Sequence, residues 1–319
     1  YYEDGSTFNE RVNYYHKPQF SLNHYFNPSS RTSLNTSAYV SIGHGGGSGR
    51  LGSSYARTAD GLLDIGKAIA YNTADTNIDN SVKYSQRNSV NNHYWYGVVS
   101  TLNHKLTENL DLTLGVDARS YKGEHFREVR NLLGGNFYND WNNGMVGVNA
   151  NASNYGNVFA VTPEGERVAY DNDGLVKYGG LFGQVEYSKD KLTAFLTGAV
   201  NSTSNQRIDR MIYDADPDRG EASEVVVIGG YSFKGGANYN INENHNVYVN
   251  AGKFSRAPFF SFVFVNNTND VVQNLLNEKA TSFEAGYGYT SRKLSAKVNA
   301  YSTNWTDKSL LSGNKLVTS

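Results

Sequence analysis

The chain of 319 residues has no cysteine, two methionines and five prolines. Without thiols there is no disulfide framework, no thiolate metal site and no cysteine nucleophile. Charged residues make up 18%, below the roughly 25% of an average soluble domain. The net charge of −1 leaves no basic surplus for nucleic acid. No run of about 18 apolar residues occurs, so no membrane helix is encoded. Strand-built membrane proteins stay open, because a spanning strand needs only about 9–11 residues with alternate positions apolar. The opening Tyr1-Tyr2-Glu3-Asp4-Gly5 has neither the charged nor the apolar region of a signal peptide.

What is abundant is tyrosine (24) and glycine (32), with aromatics at 13% and a mean hydropathy of −0.55. These values fit a sheet with one apolar face, one wet face and polar loops. Period-two alternation recurs along the chain. From Leu110, one face carries Leu110, Leu112, Leu114, Val116 and Ala118, and the other Asp111, Thr113, Gly115, Asp117 and Arg119. Leu192–Asn201 and Leu294–Ala300 repeat the pattern, as does the row Leu34, Thr36, Ala38, Val40, Ile42. Tyr231, Phe233, Ala237, Tyr239 and Ile241 oppose Lys234, Asn238 and Asn240. The alternating segments amount to about ten strands.

The connections are short on one side only. Asn27–Ser30, Thr107–Asn109, Ser188–Lys191, Asn242–Asn244 and Thr290–Lys293 read as tight polar hairpins. Residues 44–90, 122–177, 203–228 and 256–281 read as long irregular loops. Short turns at one end and long loops at the other are the asymmetry of an outer-membrane barrel. Aromatics gather near strand ends (Tyr14, Tyr15, Tyr25, Phe26, Tyr94, Trp95, Tyr96, Tyr187, Tyr231, Phe233, Tyr287, Tyr289, Tyr301 and Trp305), as interfacial girdles would require.

Motifs for chemistry are sparse. The glycine-rich Gly43–Arg50 lacks the Gly-Lys-Ser/Thr ending of a phosphate loop and reads as a flexible surface loop. Asp214, Asp216 and Asp218 place hard oxygen ligands at a spacing suited to calcium. The sixth position of such a loop is Arg219 rather than glycine, so the motif fails and solvated loop tips are expected. Asp171-Asn172-Asp173-Gly174 reads the same way. The seven histidines are scattered; His44 and His125, in expected surface loops, are the candidates for haem or ferric ligands, with solvated loop histidines the favoured reading. No local context marks a serine–histidine–acid set. Neither catalysis nor a bound cofactor is expected.

Three stretches carry a family resemblance. Gly252-Lys253-Phe254-Ser255-Arg256-Ala257-Pro258 is similar to the strand-to-loop "R-A-P" segment of TonB-dependent receptors, in particular the Bacteroidetes type. About twenty residues on, Leu275–Tyr287 resembles the family's "L-x-P-E-K-x-x-x-x-E-x-G", with Glu278, Lys279, Glu284 and Gly286 in place and Asn277 where proline is usual. Val298–Lys308, with Asn304-Trp305-Thr306-Asp307, resembles the following strand and its exit. Asn13–His24 and Trp95-Tyr96-Gly97 also look like such receptors. An arginine–carboxylate pair between Arg256 and the acids at Glu278 and Glu284 would fix the hairpin geometry.

The resemblance implies an all-β transmembrane antiparallel barrel, part of a 22-stranded one plugged by a separate N-terminal domain. It implies a bacterial outer-membrane location and active import of a ferric siderophore, haem, cobalamin or oligosaccharide. Energy would come from TonB-ExbB-ExbD acting through the plug, with a surface lipoprotein as a further partner. Residues 1–319 are expected to be a partial barrel, with plug and true termini outside them. A soluble or surface-attached glycan-binding β-protein stays open as the alternative. The discriminator is whether the Leu110/Leu112/Leu114/Val116 row meets lipid or packs on a second sheet.

Overall fold

Strands dominate because glycine, tyrosine, threonine and valine alternate with small polar residues and almost no proline intervenes. A computed structural model describes residues 5–74, 82–139, 161–162, 165–211, 220–264, 268–312 and 315–318. In chain order the elements are β1 (Asn13–His16), β2 (Gln19–Ser29), β3 (Thr32–Gly52), α1 (Ile65–Asn72), β4 (Tyr84–Thr107), β5 (Leu110–Asn131), β6 (Tyr138–Asn139) and β7 (Val161–Thr162). There follow β8 (Arg167–Lys189), β9 (Leu192–Asp209), β10 (Val226–Asn240), β11 (His245–Arg256), β12 (Glu278–Thr290), β13 (Ser295–Thr306), β14 (Ser309–Ser312) and β15 (Lys315–Thr318).

Eleven of these strands form one antiparallel meander, with β1 and β2 both on β3 and then β4, β5, β8, β9, β10, β11, β12 and β13 in order. Lys17-Pro18 interrupts what is otherwise a single edge strand, and the Pro18 carbonyl still accepts from the Ile42 amide at 3.3 Å. The expected tight hairpins all join neighbouring strands here.

The register sorts the side chains. Leu34, Leu102 and Leu114 lie opposite one another, as do Val116, Leu181 and Val200. This face stays open to its surroundings, with Leu114 46%, Leu181 59% and Leu196 65% exposed. No second sheet covers it among the described residues, and an aliphatic face left open on this scale belongs against lipid. Phe26, Tyr187, Tyr239 and Tyr287 share the face near the short turns; Phe20, Tyr94, Tyr96 and Tyr231 share it at the far side of the aliphatic band. Trp95, Tyr25, Tyr301 and Trp305, expected in the girdles, instead fall on the opposite face by register.

That opposite face is polar: Asn103, Thr113, Gln184, Thr197 and Lys234 form one cross-strand row. Aromatics on it lie flat over a glycine of the next strand, Tyr39 over Gly97, Phe182 over Gly115 and Tyr248 over Gly286. Each ring sits where a side chain would otherwise project, which tolerates tight cross-strand pairing.

The long connections are shorter than the alternation suggests, because the strands run on past the apolar band. β4 has 24 residues, roughly twice the 9–11 needed to span. Above the band both faces are polar, so the sequence pattern fades while the hydrogen-bonded ladder continues. Gly43–Arg50 is part of strand β3, not a flexible loop, and it pairs with Gln86–His93. Its glycines make room for Tyr14, Tyr15 and Asn13 of β1. Asp171–Gly174 likewise lies in β8 and not at a loop tip. The buried apolar clusters sit in this outer layer: Leu51, Val82, Val129, Leu132, Tyr138 and Val168 in one, and Tyr55, Ile65, Ala68 and Leu133 in another. Asn72 at the end of α1 ties them together, donating to the Tyr84 carbonyl (2.7 Å) and the Leu132 carbonyl (3.0 Å).

Candidate functional site

The polar face is concave. Side chains from β4 to β13 border a single cleft of about 1150 Å³, which requires the sheet to curl around that face. Its walls combine aromatic rings with cations. The Arg119 guanidinium stacks on Tyr178 (4.2 Å), Lys17 lies over Trp95 (5.5 Å), and Arg256 lies over Phe259 (4.5 Å). Trp95 meets Tyr121 edge-on at 5.8 Å. Such pairs hold a flat side chain and a charge together without fully neutralising the charge.

Three donors beside the cleft have no acceptor among the described residues: Trp95 Nε1, Arg119 Nε and Asn205 Nδ2. Buried donors without partners are uncommon. Asp117 pairs with Arg119 at 3.5 Å and Glu278 pairs with Arg256, so with Lys17 the donors on this wall still outnumber its carboxylates. An occupant rich in acceptor oxygens matches it.

The segment after β11 turns inward and roofs the cleft. Phe259 and Phe260 line it, Phe260 packs beside Gly174 of β8, and Val263 and Phe264 are buried. Asn269 anchors the segment by accepting from Arg207 (3.1 Å) and donating to the Glu221 carbonyl (2.7 Å). Arg207 is itself buried and paired with Asp209 at 2.8 Å.

The sequence-derived residues separate into three places. Arg256 forms an ion pair with Glu278, its cross-strand partner, and Ala257 and Pro258 lead from it along the cleft. Lys279 faces the other side and pairs with Asp307 at 2.8 Å. Glu284 does not join Arg256. It lies deeper on the polar face and accepts from Tyr248 Oη (3.0 Å), Asn250 Nδ2 (3.3 Å) and Asn299 Nδ2 (3.3 Å). Gly286 explains that arrangement: the Tyr248 ring lies over it, which brings the hydroxyl to Glu284. Asp214, Asp216 and Asp218 lie outside the described residues. No group of three histidine or acidic side chains that would hold a metal is found among the described residues.

Above the membrane band, Arg210 grips Asp173 with two bonds (2.7 and 3.2 Å) and reaches Asp171 (3.4 Å), while Lys122 takes Asp173 at 3.2 Å. Burial alone would push the Asp173 carboxyl up, but hydrogen bonds from Arg210 and Lys122 win and hold it below the usual carboxylate range. Asp171 is held above that range by burial, against the pull of Arg210 and Arg167.

Sequence reasoning missed the cleft's Trp95–Tyr121 and Arg119–Tyr178 pairs. The available signal was bulk: on a wet face of serine, threonine and asparagine, large rings and cations two residues apart stand out.

The family described as TonB dependent receptor-like, beta-barrel matches residues 1–315. None of the curated proteins matches. Among solved structures, the copper transporter OprC is 12% identical, with a TM-score of 0.60 over 92% of this chain and 39% of that one. The ferric citrate transporter FecA in its unliganded form is 12% identical, with a TM-score of 0.56 over 93% and 35%. The ferric-catecholate import receptor Fiu from E. coli K12 is 11% identical, with a TM-score of 0.55 over 92% and 41%. At such identities the likeness is one of fold, and this chain spans well under half the length of each. A curled antiparallel meander, apolar outside and polar within, and a family match over nearly its whole length place the chain in the TonB-dependent receptor-like β-barrel family.

Proposed function

We propose that this chain is part of the wall of an outer-membrane importer driven by TonB, and that the cleft lined by Trp95, Arg119, Tyr178 and Arg256 is where cargo meets the wall. The observation that carries this is the pairing of an open aliphatic face with a concave aromatic and cationic cleft on the reverse face of the same strands. A soluble glycan-binding sheet would need its aliphatic face covered. The solved relatives are named as transporters and receptors, which supports transport over catalysis.

In this reading a plug domain outside residues 1–319 closes the lumen, and TonB-ExbB-ExbD acts on the plug. The cargo is a scarce nutrient among ferric siderophores, haem, cobalamin and oligosaccharides, and the donor surplus favours one rich in oxygen acceptors. The Arg256-Ala257-Pro258 and Glu278–Gly286 stretches support a Bacteroidetes-type receptor, in which a surface lipoprotein would deliver the cargo. Deleting the gene and testing growth on single iron, haem, cobalamin and glycan sources tests the proposal. One source is expected to fail, with rescue by the wild-type gene and not by a Trp95→Ala/Arg119→Ala variant that reaches the membrane at normal level. Growth equal to the parent on every source, or full rescue by that variant, would contradict it.

A further inference from the structure

At the upper rim of the cleft, β4 and β5 place three metal-competent atoms around one gap. His93 lies directly opposite Gly123, and Tyr121 and His125 flank Gly123 on the same face of β5. A Cβ at Gly123 would stand 2.6 Å from Tyr121 Oη and 2.9 Å from His125 Nε2. His93 Nδ1 hydrogen-bonds the same Tyr121 oxygen at 2.6 Å, and the two imidazoles lie 6.1 Å apart, nearly perpendicular. Two imidazoles on one ion at bond lengths of about 2.0–2.1 Å have ring centres roughly 5–6 Å apart, so little adjustment is needed.

The outer partner of His125 sets its tautomer. His125 Nδ1 donates to Asn91 Oδ1 at 2.7 Å, which leaves the Nε2 lone pair directed at the gap. A carbonyl-type partner on the far nitrogen is the usual support of a ligating histidine. Burial lowers both imidazoles below the ordinary histidine value; for His93, His125 and Lys17 add to this, while for His125 Asp173 opposes it. A ligating imidazole must be neutral, and both shifts run in that direction.

We propose that His93, Tyr121 and His125, closing over Gly123, form a binding site for a divalent first-row transition ion, with two nitrogens and one phenolic oxygen as donors. This set suits copper(II) above zinc(II) by the usual order of affinities. The proton shared by Tyr121 and His93 leaves to solvent as the metal takes its place. The site does not depend on the transport reading, because it is defined by three side chains whether or not metal is the cargo.

The test is titration of the tag-free full-length protein in detergent with copper(II), followed by visible absorption and electron paramagnetic resonance. One ion per chain is expected, with splitting from two nitrogens and a phenolate-to-copper charge-transfer band. Tyr121→Phe removes the band and keeps the nitrogen splitting. His125→Ala and Gly123→Ala, the latter keeping all three ligand residues but crowding the gap between them, each weaken binding at least tenfold. Asn91→Ala weakens it about 10–100-fold. His44→Ala changes nothing. Heat-modifiable mobility on gels confirms that each variant is folded. Absence of saturable copper binding, or a band and affinity unchanged in Tyr121→Phe, His125→Ala and Gly123→Ala, overturns the proposal.

Discussion

Gly286→Ala tests most sharply how this sheet is built. A methyl at Gly286 would land inside the Tyr248 ring, so the ring must leave and its bond to Glu284 (3.0 Å) must break. Forcing a group into filled space costs about 1–3 kcal/mol. The bond to Glu284 is lost as well, on a wet face where water takes its place. The expected loss is therefore about 1–3 kcal/mol, from the displaced ring. Gly179, on β8, is the control: nothing lies within 4 Å of a Cβ there. Alanine at that position gains about 0.4–1 kcal/mol by restricting the unfolded chain. Equilibrium urea unfolding of the full-length protein in lipid, followed by tryptophan fluorescence, reads both. Tyr248→Ala combined with Gly286→Ala should cost less than the sum, since the clash vanishes with the ring. Equal stability of the Gly286→Ala and Gly179→Ala proteins would refute the reasoning.

Three other outcomes are expected. Because the folded Asp173 carboxyl titrates below its unfolded value, its stabilisation is full above about pH 4 and is lost as pH falls through the folded value. Asp173→Asn should flatten stability in that acid window, and Arg210→Ala should cost about 1–3 kcal/mol at neutral pH, with Lys122 still partnering the carboxylate. Leu114→Arg, in the apolar band, should cost about 2–4 kcal/mol in refolding into vesicles, against less than about 1 for Thr113→Arg on the polar face. Arg256→Ala strips Glu278 of its partner at the β11–β12 junction and should lower the fraction of full-length protein that assembles, as read by heat-modifiable mobility; assembly equal to the parent would remove that pair from the account.

The spanning part of the fold was legible because lipid imposes strict alternation: Leu110 to Ala118 and Leu192 to Val200 each show it, and the five tight turns follow. Above the membrane that constraint ends. Gly43–Arg50 looked like a loop because glycine carries no side chain to alternate, yet it pairs as strand with Tyr15 lying over Gly45. Asp173 looked like a solvated tip because its partners, Lys122 and Arg210, are distant in sequence. The cleft was legible only in part. Arg256 and Glu278 were marked by their motif, whereas Trp95, Arg119 and Tyr178 meet through strand register, which single-strand patterns do not encode. The inward turn of Phe259–Phe264 depends on a side-chain anchor, Asn269 to Arg207, that no local pattern marks.

The central claim is that one face of these strands meets lipid and the other an aqueous lumen. Single spin labels at each position from Leu112 to Ala118, in the full-length protein reconstituted in bilayers, test it directly. The account predicts that labels at 112, 114, 116 and 118 are relaxed by oxygen, and that labels at 113, 115 and 117 are relaxed by a water-soluble nickel chelate. Uniform accessibility along the segment, or the opposite phase, would contradict it.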